Sequence, residues 1–476
     1  MNTWTIFEIG LAQAADSYKA EHWSMFPEGT THVKTFMEGR GSDLNDSVIF
    51  FGLQYYLKQY LSGPIITKEI VDTAEKFWNA HLGPGHFSRD NWMYIVENHN
   101  GCLPIKIKAV REGSNVKNRN VLITVENTDP KCFWLTNYIE TLLMKVWYPT
   151  TIATNGFKIR NKILEYLNKT GNPDLINFAY HCFGYRSCTC EEQAGIGSMA
   201  HLVNFMGTDT VPGIWFAQKV YNSTEMLGFS VAATEHGIPL SWGGEEFEID
   251  HFRSILTSKP IGILSVVSDT FDILKAVEKF GELKELVLSR DGKLVIRPDS
   301  GDPAMTDLMV IQKLGEIFGY TINEKGYKVL NPKVGVIQGD FICYETICEI
   351  LELLEKNGWS ADNIVFGSGT KNLQNFSRDT FNFAIKASVT TVNGEERCVE
   401  KSPLEINKDG TRTKSFKKSK KGHMKLVKID GEYKTLTNFD EGFQEAIDEL
   451  IPVFENGEIL KEYTFEEIRE TARNNS

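Results

Sequence analysis

The sequence predicts an α/β protein, a parallel sheet with helical crossovers joined to a sheet-rich part of a different kind. Apolar runs at 261–267, 294–296, 334–337 and 364–366 each stop at acids, a base or glycines. Helical runs at 270–280, 303–318 and 344–357 follow the first three, and strands that alternate with helices argue for parallel pairing. Upstream, Leu103 to Val110 and Val121 to Val125 alternate with period two, the pattern of an antiparallel sheet with one wet face.

The central unit is strand, polar loop, helix. Leu294-Val295-Ile296 runs into Arg297-Pro298-Asp299-Ser300-Gly301-Asp302, so a buried strand delivers a cation and carboxylates to a rim, where loops carry chemistry. Asp302 suits the N-cap of the helix at 303–318, and Pro303 its first turn, where a missing N–H costs nothing. Ser268-Asp269, Gln338-Gly339-Asp340 and Gly367-Ser368-Gly369-Thr370 follow the other strands. Polar residues gathered at the carboxyl ends of parallel strands predict a site there, although each Asp taken singly serves equally as a helix cap.

Composition bounds the function. A chain of 476 residues exceeds a single core and divides into two or more domains. Hydrophobic content of 41% and charged content of 24% are those of a soluble globular protein, and a net charge of −12 argues against general nucleic-acid binding by bulk electrostatics. No apolar run reaches membrane-spanning length and the amino terminus lacks a signal-peptide pattern, so a soluble, cytoplasmic protein is expected. The eight cysteines are scattered apart from Cys182, Cys188 and Cys190. His181 lies beside them, but no second ligand pair has zinc-finger spacing, so reduced thiols are expected rather than a metal site.

In chain order, Asp16 and Ser17 are read as caps of a short helix and Tyr18 as a packing ring, with a site role as the alternative. Arg40, in Glu38-Gly39-Arg40-Gly41, has a loop composition that frees an arginine to reach an anion. Residues 48–61 read as one aromatic-rich helical run and 90–98 as packing material. After the turn Asn127-Thr128-Asp129-Pro130, residues 133–147 read as a buried helix ending at Tyr148-Pro149, and 150–168 as a helix with Lys158 and Arg160 on its polar side. Phe183-Gly184-Tyr185-Arg186 is either an anion-binding fork beside a ring platform or a tight turn with an exposed arginine. Asp209 ends another short loop, and Glu235-His236 follow a run of small residues; a lone histidine is more often structural than catalytic.

Taken together, Asp16-Ser17-Tyr18-Lys19, Glu126-Asn127-Thr128-Asp129-Pro130, Phe183-Gly184-Tyr185-Arg186, Gly207-Thr208-Asp209-Thr210, Glu235-His236, Ser265-Val266-Val267-Ser268-Asp269, Ile296-Arg297-Pro298-Asp299-Ser300-Gly301 and Val336-Ile337-Gln338-Gly339-Asp340 resemble the nicotinamide phosphoribosyltransferase family. The resemblance extends to the tail motif Tyr463-Thr464-Phe465-Glu466-Glu467-Ile468-Arg469. It implies a type II phosphoribosyltransferase fold, an irregular α/β barrel plus a sheet-rich α+β domain built from both chain ends. On this reading 1–178 is the amino-terminal part of the α+β domain, 179–390 the barrel, and 391–476 the return to the first domain. It further implies conversion of nicotinamide and 5-phosphoribosyl 1-pyrophosphate to nicotinamide mononucleotide and pyrophosphate, in a homodimer with shared active sites, with Mg²⁺ and with ATP as a stimulatory co-substrate.

The resemblance also implies roles. Phe183 and Tyr18 of the partner subunit would sandwich the pyridine ring, with Asp16 and Ser265 also binding substrate, and Asp209 would accept from the carboxamide. Arg297 would lie near carboxamide and sugar, and Asp299, Gly339 and Asp340 would hold ribose hydroxyls. Gly369, Thr370 and Arg378 would take the 5-phosphate, while Arg186, Lys386, Arg40 and Lys401 would face pyrophosphate. His236, beside Glu235, would be the transiently phosphorylated histidine, and His236, Asp269, Arg297 and Asp299 form the expected catalytic set.

The chain departs from the family pattern at three single positions, and residues 393–416 are longer and more basic than that pattern. Thr370 replaces a phosphate-cradling glycine and is strained if that position needs a positive φ; Gly335 stands for an arginine, and Phe341 for the second glycine of Gly-Asp-Gly. The lysine-rich segment 412–428 reads as a lid over polyphosphate, as a solvated loop, or as a nucleic-acid contact. The alternatives to the amide-specific enzyme are nicotinate phosphoribosyltransferase and a non-catalytic pyridine-nucleotide-binding sensor.

Overall fold

The apolar runs become parallel strands. In the computed structural model, which describes residues 10–415 and 417–474, a seven-stranded sheet has the order Gly207–Thr208, Tyr180–Cys182, Ile364–Ser368, Val334–Gln338, Asp291–Arg297, Ile261–Val267, Ala232–Ala233. Every pairing in it is parallel. A parallel bridge from Gly207 to Phe229, just before the last strand, curls the two edges toward each other into an irregular barrel.

Helices Ile273–Glu282, Pro303–Phe318 and Tyr344–Lys356 follow their strands as crossovers. Asp302 Oδ1 accepts from the Met305 backbone N–H at 2.9 Å, so the loop carrying Asp299 runs directly into a capped helix. The helices bury Phe280, Ile311, Leu314, Ile347 and Ile350 against the sheet, each contributing on the order of 1.5–3 kcal/mol by removal from water.

The alternating segments form the second sheet. Its seven strands run Glu395–Cys398, Ala384–Val392, Thr30–Glu38, Val121–Asn127, Ile105–Ala109, Ile451–Glu455, Glu458–Ile459, all antiparallel. Chain contacts divide accordingly into two units. One comprises described residues up to Thr154, Val220–Asn222 and those from Phe376 onward; the other comprises Asn155–Lys219 and Ser223–Asn375. Among the described residues no helix is long and apolar enough to cross a membrane.

Several local expectations are corrected. The helix expected at 270–280 starts at Ile273, because Asp272, not a residue before it, accepts from the Leu274 and Lys275 N–H groups. Residues 48–61 are not one helix: Ser47–Ile49 is a strand, followed by the helix Leu53–Tyr56 and a π-turn at Leu57–Leu61. The expected helix at 133–147 breaks into Leu135–Tyr138 and Glu140–Met144, and Trp147–Thr170 carries Pro149 in its first turn, where proline starts a helix rather than ends one. Arg160 is buried, not on a polar face, and donates to the Asn204 carbonyl at 3.0 Å.

Candidate active site

Within the barrel unit the carboxyl ends of the strands surround a 540 Å³ cavity lined by Phe183, Arg186, Asp209, Thr210, Arg297 and the segment from Cys188 to Glu191. Phe183 reaches it because glycines make room. A Cβ at Gly367 would lie 1.9 Å from Cε2 of the ring, and one at Gly339 3.8 Å from the same atom. The Phe183 backbone N–H donates to the Ser368 carbonyl at 2.8 Å, which ties the aromatic loop to the end of the neighbouring strand. Asp209 is exposed to the cavity and accepts a short hydrogen bond from the Ser230 hydroxyl.

Acids and a histidine stand beside this cavity. His236 Nε2 lies 3.0 Å from Asp269 Oδ1, and Nδ1 lies 3.9 Å from Asp299 Oδ2. Arg297 reaches the same Asp299 oxygen at 3.7 Å, while its own Nε has no hydrogen-bond partner among the described residues. Burial first, then the charges of Asp299 and Asp269, push the Asp340 carboxyl above its ordinary value. The strand ends thus gather like charges whose mutual repulsion a bound cation or a hydroxyl-rich ligand relieves.

A second cavity, of 410 Å³ and largely apolar, is lined by His181, Ser265, Lys293, Val295, Gly335 and Ile337 among others. Residues two apart on a strand share a face, so Val295, which lines this cavity, and Arg297, which lines the first, lie on the same face of the strand Asp291–Arg297. Ser265 lines this cavity and not the one that holds Phe183 and Asp209. Gly369 approaches the Phe183 carbonyl, where a Cβ would sit at 3.4 Å. Thr370 is not strained: it opens the short helix Thr370–Leu373, has no positive φ, and its hydroxyl pairs with Ser187 Oγ at 2.8 Å. Of the three single-position departures from the family pattern, the one with a positive φ is Phe341, at 52° and 67% exposed.

The remaining predicted residues lie in the antiparallel unit. Arg40, Arg378, Lys386 and Lys401 line one cavity of 430 Å³ with Lys417, Glu140 and Asp379. Arg40 is not a free loop residue. It is buried, with Nε 3.1 Å from Glu38 Oε1, but its Nη2 has no hydrogen-bond partner among the described residues. Burial, and then the charges of Arg40 and Lys401, push the Lys386 amine below its usual value against the pull of Glu140. Arg378 is tied to Asp379 at 2.8 Å. Asp16 makes no capping hydrogen bond; its Oδ2 accepts from Thr141 at 3.1 Å and from the Tyr18 hydroxyl at 3.4 Å. Tyr18 is 54% exposed, and Ser17 pairs with His81.

The lysine-rich segment forms two hairpins, Leu404–Ile406 with Arg412–Lys414 and Met424–Ile429 with Glu432–Thr437; Phe416 lies outside the described residues. Its cations find local partners: Lys418 meets Glu400, Lys420 meets Glu38, and Lys425 donates to three carbonyls. The cysteines are all free, and among the described residues the group of three side chains close enough to share a metal is His99, Asp129 and Cys132, not Cys182, Cys188 and Cys190. Asp129 there caps the turn at Lys131 and accepts from Tyr94 and His99, a satisfied structural network.

Ser230 and Gly367, which touch Asp209 and Phe183, and Gln338 and Asp307, which stand behind Asp340, had no assigned role in the sequence. Gln338 and Gly367 lie in segments that drew attention for their neighbours. Asp307 lies inside an apolar helix and Ser230 in a small-residue run, with no local signal.

Comparison with known proteins identifies the family. Residues 178–442 match the model of the nicotinate phosphoribosyltransferase (NAPRTase) family, and residues 10–107 match the nicotinamide phosphoribosyltransferase N-terminal domain. A nicotinamide phosphoribosyltransferase of Xanthomonas campestris is 40% identical over 95% of this chain and 96% of its own length. One of Acinetobacter baylyi is 36% identical over 98% and 97%. The fold is shared with the nicotinate-nucleotide pyrophosphorylase of Pyrococcus furiosus, at a TM-score of 0.60 and 15% identity over 100% of this chain and 97% of that one. Human nicotinic acid phosphoribosyltransferase aligns at a TM-score of 0.57 and 16% identity, over 96% and 93%. With matches of this extent to both models and near-complete coverage of its relatives, the chain belongs to the nicotinate phosphoribosyltransferase family, with the nicotinamide phosphoribosyltransferase amino-terminal domain.

Proposed function

We propose that the protein transfers a phosphoribosyl group from 5-phosphoribosyl 1-pyrophosphate to nicotinamide, giving nicotinamide mononucleotide and pyrophosphate, as a step of NAD salvage. The observation that carries the reading is that the Asp209 carboxylate and the Phe183 ring line one cavity. The ring gives a flat aromatic substrate a face to stack on. A carboxylate at its edge accepts from a carboxamide N–H₂, whereas nicotinate would set one carboxylate against another in a partly desolvated site. Arg297, the cation that would favour nicotinate, is drawn toward Asp299.

Charge development accounts for the remaining residues. As pyrophosphate leaves, negative charge collects on it and the ribose carbon becomes oxocarbenium-like, so Arg186 and the cations Arg40, Lys386 and Lys401 favour departure electrostatically. The pyridine nitrogen attacks without a general base, and positioning of both partners supplies much of the rate. Asp299, Gly339 and Asp340 are assigned to the ribose hydroxyls and Gly369 to the 5-phosphate. A Mg²⁺ ion carried on the donor's phosphates would neutralise part of their charge. With Nε2 held by Asp269, His236 presents Nδ1 as a nucleophile, which supports an ATP-stimulated step through a phosphohistidine.

We assign the active form to a cytoplasmic homodimer in which Tyr18 of the partner subunit covers the ring on Phe183; the exposed tyrosine ring supports this. The test is incubation of purified protein with nicotinamide, phosphoribosyl pyrophosphate and Mg²⁺, with and without ATP, with mass detection of the mononucleotide. Bound substrates without release of pyrophosphate would instead identify a sensor.

A further inference from the structure

Asp307 has no part in the reaction described above, yet a carboxyl group stands fully buried at 0% exposure in the helix Pro303–Phe318. Gln338, 1% exposed, donates from Nε2 to Asp307 Oδ1 at 3.1 Å, and its own Oε1 accepts from the Asp340 backbone N–H at 2.9 Å. Burial raises the Asp307 carboxyl well above its ordinary value, which favours its neutral form. Its Oδ2 has no hydrogen-bond partner among the described residues.

An amide side chain has an acceptor end and a donor end, and a buried amide is oriented only when each finds its complement. The acceptor end of Gln338 must face Asp340 N–H, so the donor end needs an acceptor on the other side. Asp307 is that acceptor. The same helix is capped by Asp302, at the end of the loop that carries Asp299. One rigid element therefore grips the Asp299 loop at its first turn and the Asp340 loop through Asp307.

We infer that Asp307 is a positioning residue for phosphoribosyl binding: acting through Gln338, it sets where Asp340 stands relative to Asp299. The inference rests on the assignment of Asp299 and Asp340 to the ribose given above. A purely structural role would lower thermal stability and leave substrate affinity of the folded enzyme unchanged. A positioning role changes KM for one substrate.

The test compares D307L, D307N and Q338L in the full-length protein, each assayed at equal folded fraction, with hydrogen exchange followed over peptides containing Asp340. D307L and Q338L are expected to raise KM for phosphoribosyl pyrophosphate about tenfold or more while KM for nicotinamide stays within about twofold, since small displacements of positioning groups have effects of this order. Both speed exchange at the Asp340 amide. D307N, neutral and of the same shape, keeps the acceptor and restores both readouts, and D307L/Q338L is no worse than Q338L alone. Unchanged KM and exchange in D307L, or in Q338L if D307L does not fold, overturns the inference, as does D307N behaving like D307L. Absence of turnover in the unsubstituted protein overturns the proposed reaction instead, while the exchange comparison still tests the pair.

Discussion

In the proposed reaction Asp209 is the residue assigned to the choice between amide and acid. Replacing it with asparagine removes the repulsion toward nicotinate, so D209N is expected to lower the ratio of kcat/KM for nicotinamide over nicotinate by about tenfold or more, measured with the two substrates separately. Gly367 is a residue whose side chain must be absent, since its Cβ would fall inside the Phe183 ring. G367A is expected to displace that ring, at a cost of about 1–3 kcal/mol in stability from overpacking and with a raised KM for nicotinamide. A melting temperature and KM equal to those of the parent would show that Phe183 has room elsewhere.

At the scale of the element, the loop after Val334–Gln338 holds Phe341 at φ 52°, a conformation unfavourable for a bulky residue by about 1–2 kcal/mol. Its ring is 67% exposed and so loses little burial on replacement. F341N, which suits the left-handed region, is expected to stabilise the protein by about 1 kcal/mol in denaturant unfolding. On the strand Val121–Asn127, Glu126 accepts from His32 at 3.2 Å and lies 3.5 Å from Lys34. Burial alone would raise this carboxyl, but the His32 hydrogen bond and the Lys34 charge outweigh it and hold it down to about 2. An acid depressed in the folded state stabilises above its unfolded value and loses that contribution as pH falls toward the folded one. Stability is therefore expected to drop between about pH 5 and pH 2, and E126Q to flatten that part of the profile by about 1–2 kcal/mol.

The same elements show what was legible in advance. Asp302 and Pro303 announced the helix at 303–318 because a cap and a first-turn proline are local signals. Val48 to Phe51 is uniformly apolar, and such a run does not distinguish a buried strand from a helix, so the strand Ser47–Ile49 went unread. Pro149 was ambiguous between helix end and helix start. The site acids were legible from their place after strands, whereas Gly367 against Phe183 and Gln338 against Asp307 are contacts made by tertiary folding, with nothing in the local pattern to announce them.

For the whole molecule, the antiparallel sheet pairs Thr30–Glu38 with Ala384–Val392 and Ile105–Ala109 with Ile451–Glu455. A chain cut after residue 375 loses both partners and leaves two strand edges unpaired. It is expected to aggregate rather than yield a soluble amino-terminal unit, as size-exclusion chromatography would report. The central claim is that the barrel cavity is built for an uncharged pyridine amide beside a phosphoribosyl donor. The most direct measurement gives the purified protein equimolar nicotinamide and nicotinate in one tube with limiting phosphoribosyl pyrophosphate and Mg²⁺, and weighs the products. The account predicts nicotinamide mononucleotide in large excess with one pyrophosphate released per product; predominance of the nicotinate nucleotide, or pyrophosphate release without either, would contradict it.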